Sequence, residues 1–269
     1  MPLAVAIESL DDPRVAPYRN VRDADLRARD GLFLTEGRLN VKRLITASRF
    51  RTRSVLVTET ALRAIEPALE RLDAATPVYL ATQALVADVV GYAMHRGCLA
   101  VGERGAEPNL APFLATARPR TVVVLEDVSN PENVGAVFRN ALALGAEGVV
   151  LTRRCVDPLY RRTIRVSMGA SLRIGYARAE SGAAALATLS AAGFTNVALT
   201  TARDAVPLER ERVAPQRLAL WLGSEGEGLS PEVLAAVEQR VTIPMASGAD
   251  SLNVATASAI ALHHYRSLA

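Results

Sequence analysis

The sequence predicts an α/β protein built in two parts, and three observations carry that reading. Apolar segments of strand length alternate with segments of helical spacing along nearly the whole chain. Residues 121–126 form a strand with an apolar interior, the pattern of a strand buried in a parallel sheet. Across residues 103–120 the alternation stops, because Gly105, Pro108, Pro112 and Pro119 interrupt any long element. The expected division is therefore a first domain over 1–102, a linker over 103–118 with a short helix near 110–115, and a second domain over 119–269.

In the first domain, strands are expected at 31–36, 54–58, 77–80 and 97–101, with helices at 38–47, 60–72 and 83–90. That is a small α/β/α module. In the second, the strand at 121–126 is followed by a helix over 133–144, ended by Gly145, and a strand at 148–151. A helix at 181–192 and strands at 197–200 and 218–222 come next. Ser230 then precedes Pro231, a cap residue followed by proline at the first helical position. A strand at 241–244 and a helix over 252–268 complete the chain. Ordinary topology rules make this an open doubly wound sheet.

At 269 residues and 50% hydrophobic, the chain can fill two cores. No apolar run reaches the eighteen or so residues of a membrane span. The start meets Glu8, Asp11 and Asp12 too early for a secretory signal. Cys98 and Cys155 stand far apart with no metal-ligand spacing, and read as reduced thiols of a cytoplasmic protein. Net charge is only +3, but its distribution is uneven. Between Thr152 and Arg178 seven arginines face one acid, Asp157. Arg153, Arg154, Arg161, Arg162 and Arg165 are the candidates for phosphate contact, since guanidinium suits bidentate phosphate binding and base stacking. An ordinary solvated face is the competing reading.

Three segments, each at an expected strand-to-helix junction, read as one ligand site. They are Asn130-Pro131-Glu132-Asn133-Val134-Gly135-Ala136-Val137-Phe138-Arg139-Asn140, Leu222-Gly223-Ser224-Glu225-Gly226-Glu227-Gly228-Leu229, and Ile243-Pro244-Met245 with Ser251-Leu252-Asn253-Val254. Loops after the carboxyl ends of strands are where open α/β sheets bind ligands. The glycine-rich run lies too near the C-terminal end for a dinucleotide fingerprint, which opens a sheet and needs an acidic residue about twenty positions later. Its glycines can bring backbone close to a bound molecule, or simply form a turn before Ser230.

Together the three segments resemble the motifs of the SpoU/TrmH-type RNA 2′-O-ribose methyltransferases of the SPOUT superfamily, over residues 122–268. Phe33-Leu34-Thr35-Glu36-Gly37, Val55-Leu56-Val57-Thr58 and His95-Arg96-Gly97 resemble the RNA substrate-binding domain, of L30e/L7Ae type, that many members carry. The resemblance implies a SPOUT-type parallel-sheet methyltransferase domain with a C-terminal trefoil knot. It implies S-adenosylmethionine as cofactor, bound by Gly223, Ile243 and Leu252 with Leu222 and Met245 adjacent. It makes Arg139 the catalytic candidate, engaging the 2′-oxygen and a neighbouring phosphate as alkoxide character develops. Asn133, Asn253, Ser251 and Glu225 occupy the other catalytic motif positions. Asn133 is expected to cap its helix and fix Arg139, Ser251 to cap the last helix, and Glu225 to orient Arg139 or the ribose. No metal is expected.

The expected activity is 2′-O-ribose methylation by a homodimer. Ribosomal RNA is favoured over transfer RNA because of the N-terminal domain and the absence of a basic C-terminal extension. A transfer-RNA enzyme and a non-catalytic RNA-binding protein are the alternatives.

Overall fold

The computed structural model describes residues 4–19, 22–94 and 97–268, so the His95-Arg96 pair lies outside the described residues. The chain forms two compact units, Met1–Ala106 with Pro158–Arg173, and Glu107–Asp157 with Ile174–Ala269. In chain order the elements are β1 (Ala4–Ala6), α1 (Asp23–Asp30), β2 (Leu32–Glu36), α2 (Arg38–Ala47), β3 (Arg51–Val57), α3 (Glu59–Leu69), β4 (Val78–Leu80), α4 (Gln83–Val90) and β5 (Cys98–Glu103). There follow α5 (Leu110–Ala117), β6 (Thr121–Leu125), α6 (Pro131–Leu144), β7 (Gly148–Thr152), α7 (Arg161–Val166), β8 (Gly175–Ala179), α8 (Gly182–Ala191) and β9 (Thr195–Leu199). The last are β10 (Val206–Pro207), β11 (Leu218–Leu222), α9 (Pro231–Ala236), β12 (Gln239–Thr242) and α10 (Val254–Leu268).

The first unit holds a five-stranded sheet in the order β1-β4-β3-β5-β2. β5 runs antiparallel to β2 and β3, and the other pairs are parallel. Thr58 and Thr82 start α3 and α4 by accepting from the backbone N–H groups of Ala61 and Leu85. β3 begins earlier than its apolar pattern suggests, with a bulge between Thr52 and Ser54.

The segment Pro158–Arg173 packs in this first unit, whereas the expected boundary kept it within 119–269. Ion pairs hold it there. Arg161 Nε donates to Asp23 Oδ1 at 2.8 Å, and Arg165 Nη1 to Glu36 Oε1 at 3.0 Å. The Arg161–Asp23 pair is mostly buried, with side-chain exposures of 22% and 20%. Arg161→Glu is therefore expected to destabilise the protein by roughly 1.5–3 kcal/mol, the range for charged hydrogen bonds. Arg153→Glu should leave stability alone, since its side chain is 81% exposed and its partner Glu180 stands 3.7 Å away. Thermal melting of the two variants checks this.

The second unit is a seven-stranded sheet in the order β10-β12-β9-β11-β6-β7-β8, with every pair parallel. β11 is inserted between β6 and β9, so the chain leaves β6 toward one edge and β9 toward the other. That is a topological switch point, where a crevice opens beyond the carboxyl ends of the strands. Trp221 on β11 is fully buried, and its indole N–H donates to the buried Asn196 Oδ1 at 2.9 Å. Among the described residues no helix is long and apolar enough to cross a membrane.

Candidate active site

The helix α6 starts at Pro131, with Asn130 as its cap: Asn130 Oδ1 accepts from Glu132 N at 2.8 Å. Asn133 therefore does not cap, which corrects the expectation. It lies in the first helical turn, buried, with its amide free to bond elsewhere. Its Nδ2 donates to Glu225 Oε1, and its Oδ1 accepts from Asn253 Nδ2 at 2.9 Å. One side chain thus ties together the first, second and third sequence segments.

The start of α10 is also corrected. Asn253, not Ser251, serves as its cap, since Asn253 Oδ1 accepts from Ala255 N at 2.9 Å and Thr256 N at 3.4 Å. Ser251 is exposed in the preceding loop. The two polar atoms of the Asn253 amide therefore act separately, the oxygen as the cap and the nitrogen as the link to Asn133.

Beyond β9, β11 and β12 opens a cavity of about 610 Å³. Leu222, Gly223, Ile243, Met245 and Leu252 all line it, as do Glu225, Ser251 and Asn253. Glu227 of the second segment lines it too, and so do Thr200, Thr201 and Asp250, which were missed in the sequence. They occupy loops whose composition is ordinary, and only the strand order brings them here. The lining carries three carboxylates, and among the described residues no Lys, Arg or His. Such a lining favours a cationic ligand with an apolar body.

The loop 223–229 is closed on itself by two backbone bonds, Ser224 N to Gly228 O at 3.2 Å and Gly228 N to Ser224 O at 3.0 Å. A Cβ on Gly223 would stand 2.1 Å from the Gly228 carbonyl carbon and 2.3 Å from Leu229 N. Glycine is required there by the loop's own return strand. That closure is the turn before Ser230 that the sequence offered as one reading, and Gly223 lines the cavity as well.

Arg139 stands apart. It lies six positions after Asn133, which on a helix is about 9 Å of rise and a different face. It is exposed, it does not line the cavity, and among the described residues it makes no hydrogen bond or ion pair. The expected contacts from Asn133 and Glu225 to Arg139 are absent. Those two side chains bond to each other instead.

The arginine candidates divide between the units: Arg153 and Arg154 in the second, Arg161, Arg162 and Arg165 in the first. Arg154 Nε donates to Asp127 Oδ2 at 3.0 Å. That guanidinium, helped by the Thr152 hydroxyl, holds the Asp127 carboxyl below the usual carboxylate range, against a smaller opposing effect of burial. The cluster is thus partly neutralised by Asp23, Glu36, Asp127 and Glu180.

The family described as the SpoU rRNA Methylase family matches residues 120–263. A protein of Mycobacterium bovis named an uncharacterized tRNA/rRNA methyltransferase is 41% identical over 259 residues, which is 94% of this chain and 88% of the relative. A solved structure from Porphyromonas gingivalis, assigned to the TrmH family of RNA methyltransferases, superposes with a TM-score of 0.81 at 27% identity, covering 97% of this chain and 99% of its own. An rRNA methyltransferase from Sinorhizobium meliloti, solved with AdoMet bound, superposes with a TM-score of 0.82 over 98% of both chains, and at 24% identity that likeness speaks for the fold.

Proposed function

The chain belongs to the SpoU family of RNA methyltransferases, and on that premise we propose that it is a cytoplasmic, homodimeric enzyme transferring a methyl group from S-adenosylmethionine to a ribose 2′-hydroxyl of ribosomal RNA. One observation carries the reading. Two strand-end segments, 222–229 and 243–254, line one cavity, and the chain Glu225–Asn133–Asn253 ties the third segment, 130–140, to both of them. The volume lies within the roughly 300–1,000 Å³ of small-molecule sites. The residues fit the cofactor: Leu222, Ile243, Met245 and Leu252 offer apolar walls for adenine, and Glu225, Glu227 and Asp250 suit its cationic groups. When bound, S-adenosylmethionine supplies a methyl group on a sulfonium leaving group.

The chain's own residues supply position and charge. Asn133 and Asn253 fix the carboxylate of Glu225 at the cavity rim. Arg139 offers an exposed guanidinium, with no bonded partner among the described residues, to the ribose oxygen and its phosphate. The hydroxyl proton leaves to solvent as the 2′-ether forms. Arginine, with a pKa above about 12, serves here as an electrostatic partner and not as the base.

The trefoil knot is part of the same proposal. Its support is that after β12, which pairs with β9 and β10, α10 settles on α6, where Asn140 Nδ2 donates to Ala255 O at 2.7 Å and Ser258 Oγ at 3.0 Å. An L30e/L7Ae-type first domain, which would bind the RNA, belongs to the proposal too. Free Cys98 and Cys155, both buried, suit a reducing compartment.

The dimer reading rests on α10, whose Ile260 is 40% exposed while its opposite side is buried. Ile260→Glu is expected to shift a micromolar sample from dimer to monomer in sedimentation. A wild-type monomer at that concentration would end the dimer reading.

The activity is tested by incubating the protein with labelled S-adenosylmethionine and, separately, ribosomal RNA and transfer RNA, then mapping alkali-resistant linkages. Resistance at one ribosomal position is expected. Label on a base, or in transfer RNA only, would redirect the assignment. No transfer to either RNA, with RNA still bound, would favour the non-catalytic alternative.

A further inference from the structure

We propose that Glu126 is a positioning residue that holds both ends of the loop 223–229 and so sets the affinity of the cavity for its methyl donor. The inference rests on the cofactor reading above for the word donor, and on geometry alone for the clamp. Glu126 directly follows β6 and is buried, 5% exposed. Its backbone N–H donates to Leu222 O at 2.9 Å, the residue before the loop. Its carboxylate accepts from Ser230, the residue after the loop, through Ser230 N to Oε2 at 2.8 Å and Ser230 Oγ to Oε1 at 2.9 Å. One residue thus binds entry and exit of the same loop.

The hydroxyl of Ser230 has a single hydrogen, which goes to Glu126. That leaves a lone pair turned toward Val233 N, from which Ser230 Oγ accepts at 3.3 Å to cap α9. Loop exit and helix start are therefore oriented by the same carboxylate. The fold also makes room for it. A Cβ on Gly182, the first residue of α8, would stand 2.1 Å from Glu126 Oε1 and 2.7 Å from a methyl of Val233. The carboxylate occupies the volume a side chain would take there.

Glu126 does not line the cavity, so it acts on the ligand only through the loop. Glu225 and Gly223, which do line it, lie on that loop. Release of either end lets Glu225 drift from Asn133 and opens the closed backbone of the loop.

Two variants test this, Glu126→Gln and Ser230→Ala. A glutamine accepts through one oxygen and turns its amide nitrogen toward a second donor, so one bond is lost. Hydrogen exchange on ligand-free Glu126→Gln is expected to show faster exchange in 223–229 with β6 and β11 protected as in the parent. The KM for S-adenosylmethionine should rise roughly tenfold or more, with kcat at saturation near the parental value. A merely structural role would instead lower the active fraction, reducing kcat at unaltered KM. Ser230→Ala should raise KM in the parent but add little in the Glu126→Gln background, because both changes cut the same link.

Unchanged loop exchange in folded Glu126→Gln overturns the clamp. Faster loop exchange with unchanged KM overturns the link to affinity. If the wild-type protein binds no S-adenosylmethionine, the cofactor reading fails while the exchange result still decides the clamp. Should Glu126→Gln not fold, exchange and KM of Ser230→Ala alone decide it: no change in either overturns the proposal.

Discussion

Arg139→Ala is expected to lower methyl transfer about a hundredfold or more while leaving affinity for S-adenosylmethionine near the parental value. Loss of one preorganised donor at a developing oxyanion costs about 3–4 kcal/mol. The separation from cofactor binding follows from position, since Arg139 is on the exposed face of α6 and outside the cavity lining. Stability should be untouched, because its guanidinium holds no partner among the described residues. Arg139→Lys should not restore the rate, for an ammonium cannot span a ribose oxygen and a phosphate as a planar fork does. Single-turnover kinetics on the modified RNA checks both variants. Near-parental rates for Arg139→Ala would remove it from the mechanism and leave the rim chain Glu225–Asn133–Asn253 to carry the chemistry.

Gly223→Val should act in the opposite way, through the cofactor. A branched side chain at Gly223 meets the Gly228 backbone at distances no Cβ tolerates. Overpacking of this kind costs about 1–3 kcal/mol. Concentrated in the loop, that weakens cofactor binding by roughly 5- to 150-fold. Gly226→Ala is the control, since nothing lies within 4 Å of a Cβ built there. Calorimetry on both variants is the check. Equal losses would mean that ligand approach, not the loop's own closure, demands the glycines.

Much of the architecture was legible because periodic patterns are local. Helices α2 and α4 and strand β11 fall at their expected residues, and the Ser230-Pro231 start of α9 is where the cap chemistry put it. β8 was not legible: its run Gly-Tyr-Ala-Arg-Ala has little apolar signal, and Arg178 is accommodated in the structure by Glu107 at 3.1 Å. Nor was α7, a six-residue basic turn without a side-chain cap. At the site, motif positions named Asn133, Asn253 and Glu225, yet the two helix caps and the contacts expected to Arg139 needed correction. Asn130 had a stronger claim to the α6 cap, because it directly precedes Pro131.

The sequence by itself determined the α/β class, the alternation of elements, the family, and the three segments, two that line the cavity and one joined to them through Asn133. Each of these depends on spacing along the chain, which composition and motif order preserve. Only the tertiary structure decided that 158–173 packs with the first unit, that Asn133 bonds Glu225 and Asn253 rather than Arg139, and that Glu126 grips both ends of the glycine loop. Those facts depend on strand order. With β11 inserted beside β6, the end of the 121–125 strand comes to lie against residues about a hundred positions later. Hydrogen bonding is short-ranged, so partners so distant in sequence are set by the sheet that brings them within 3 Å.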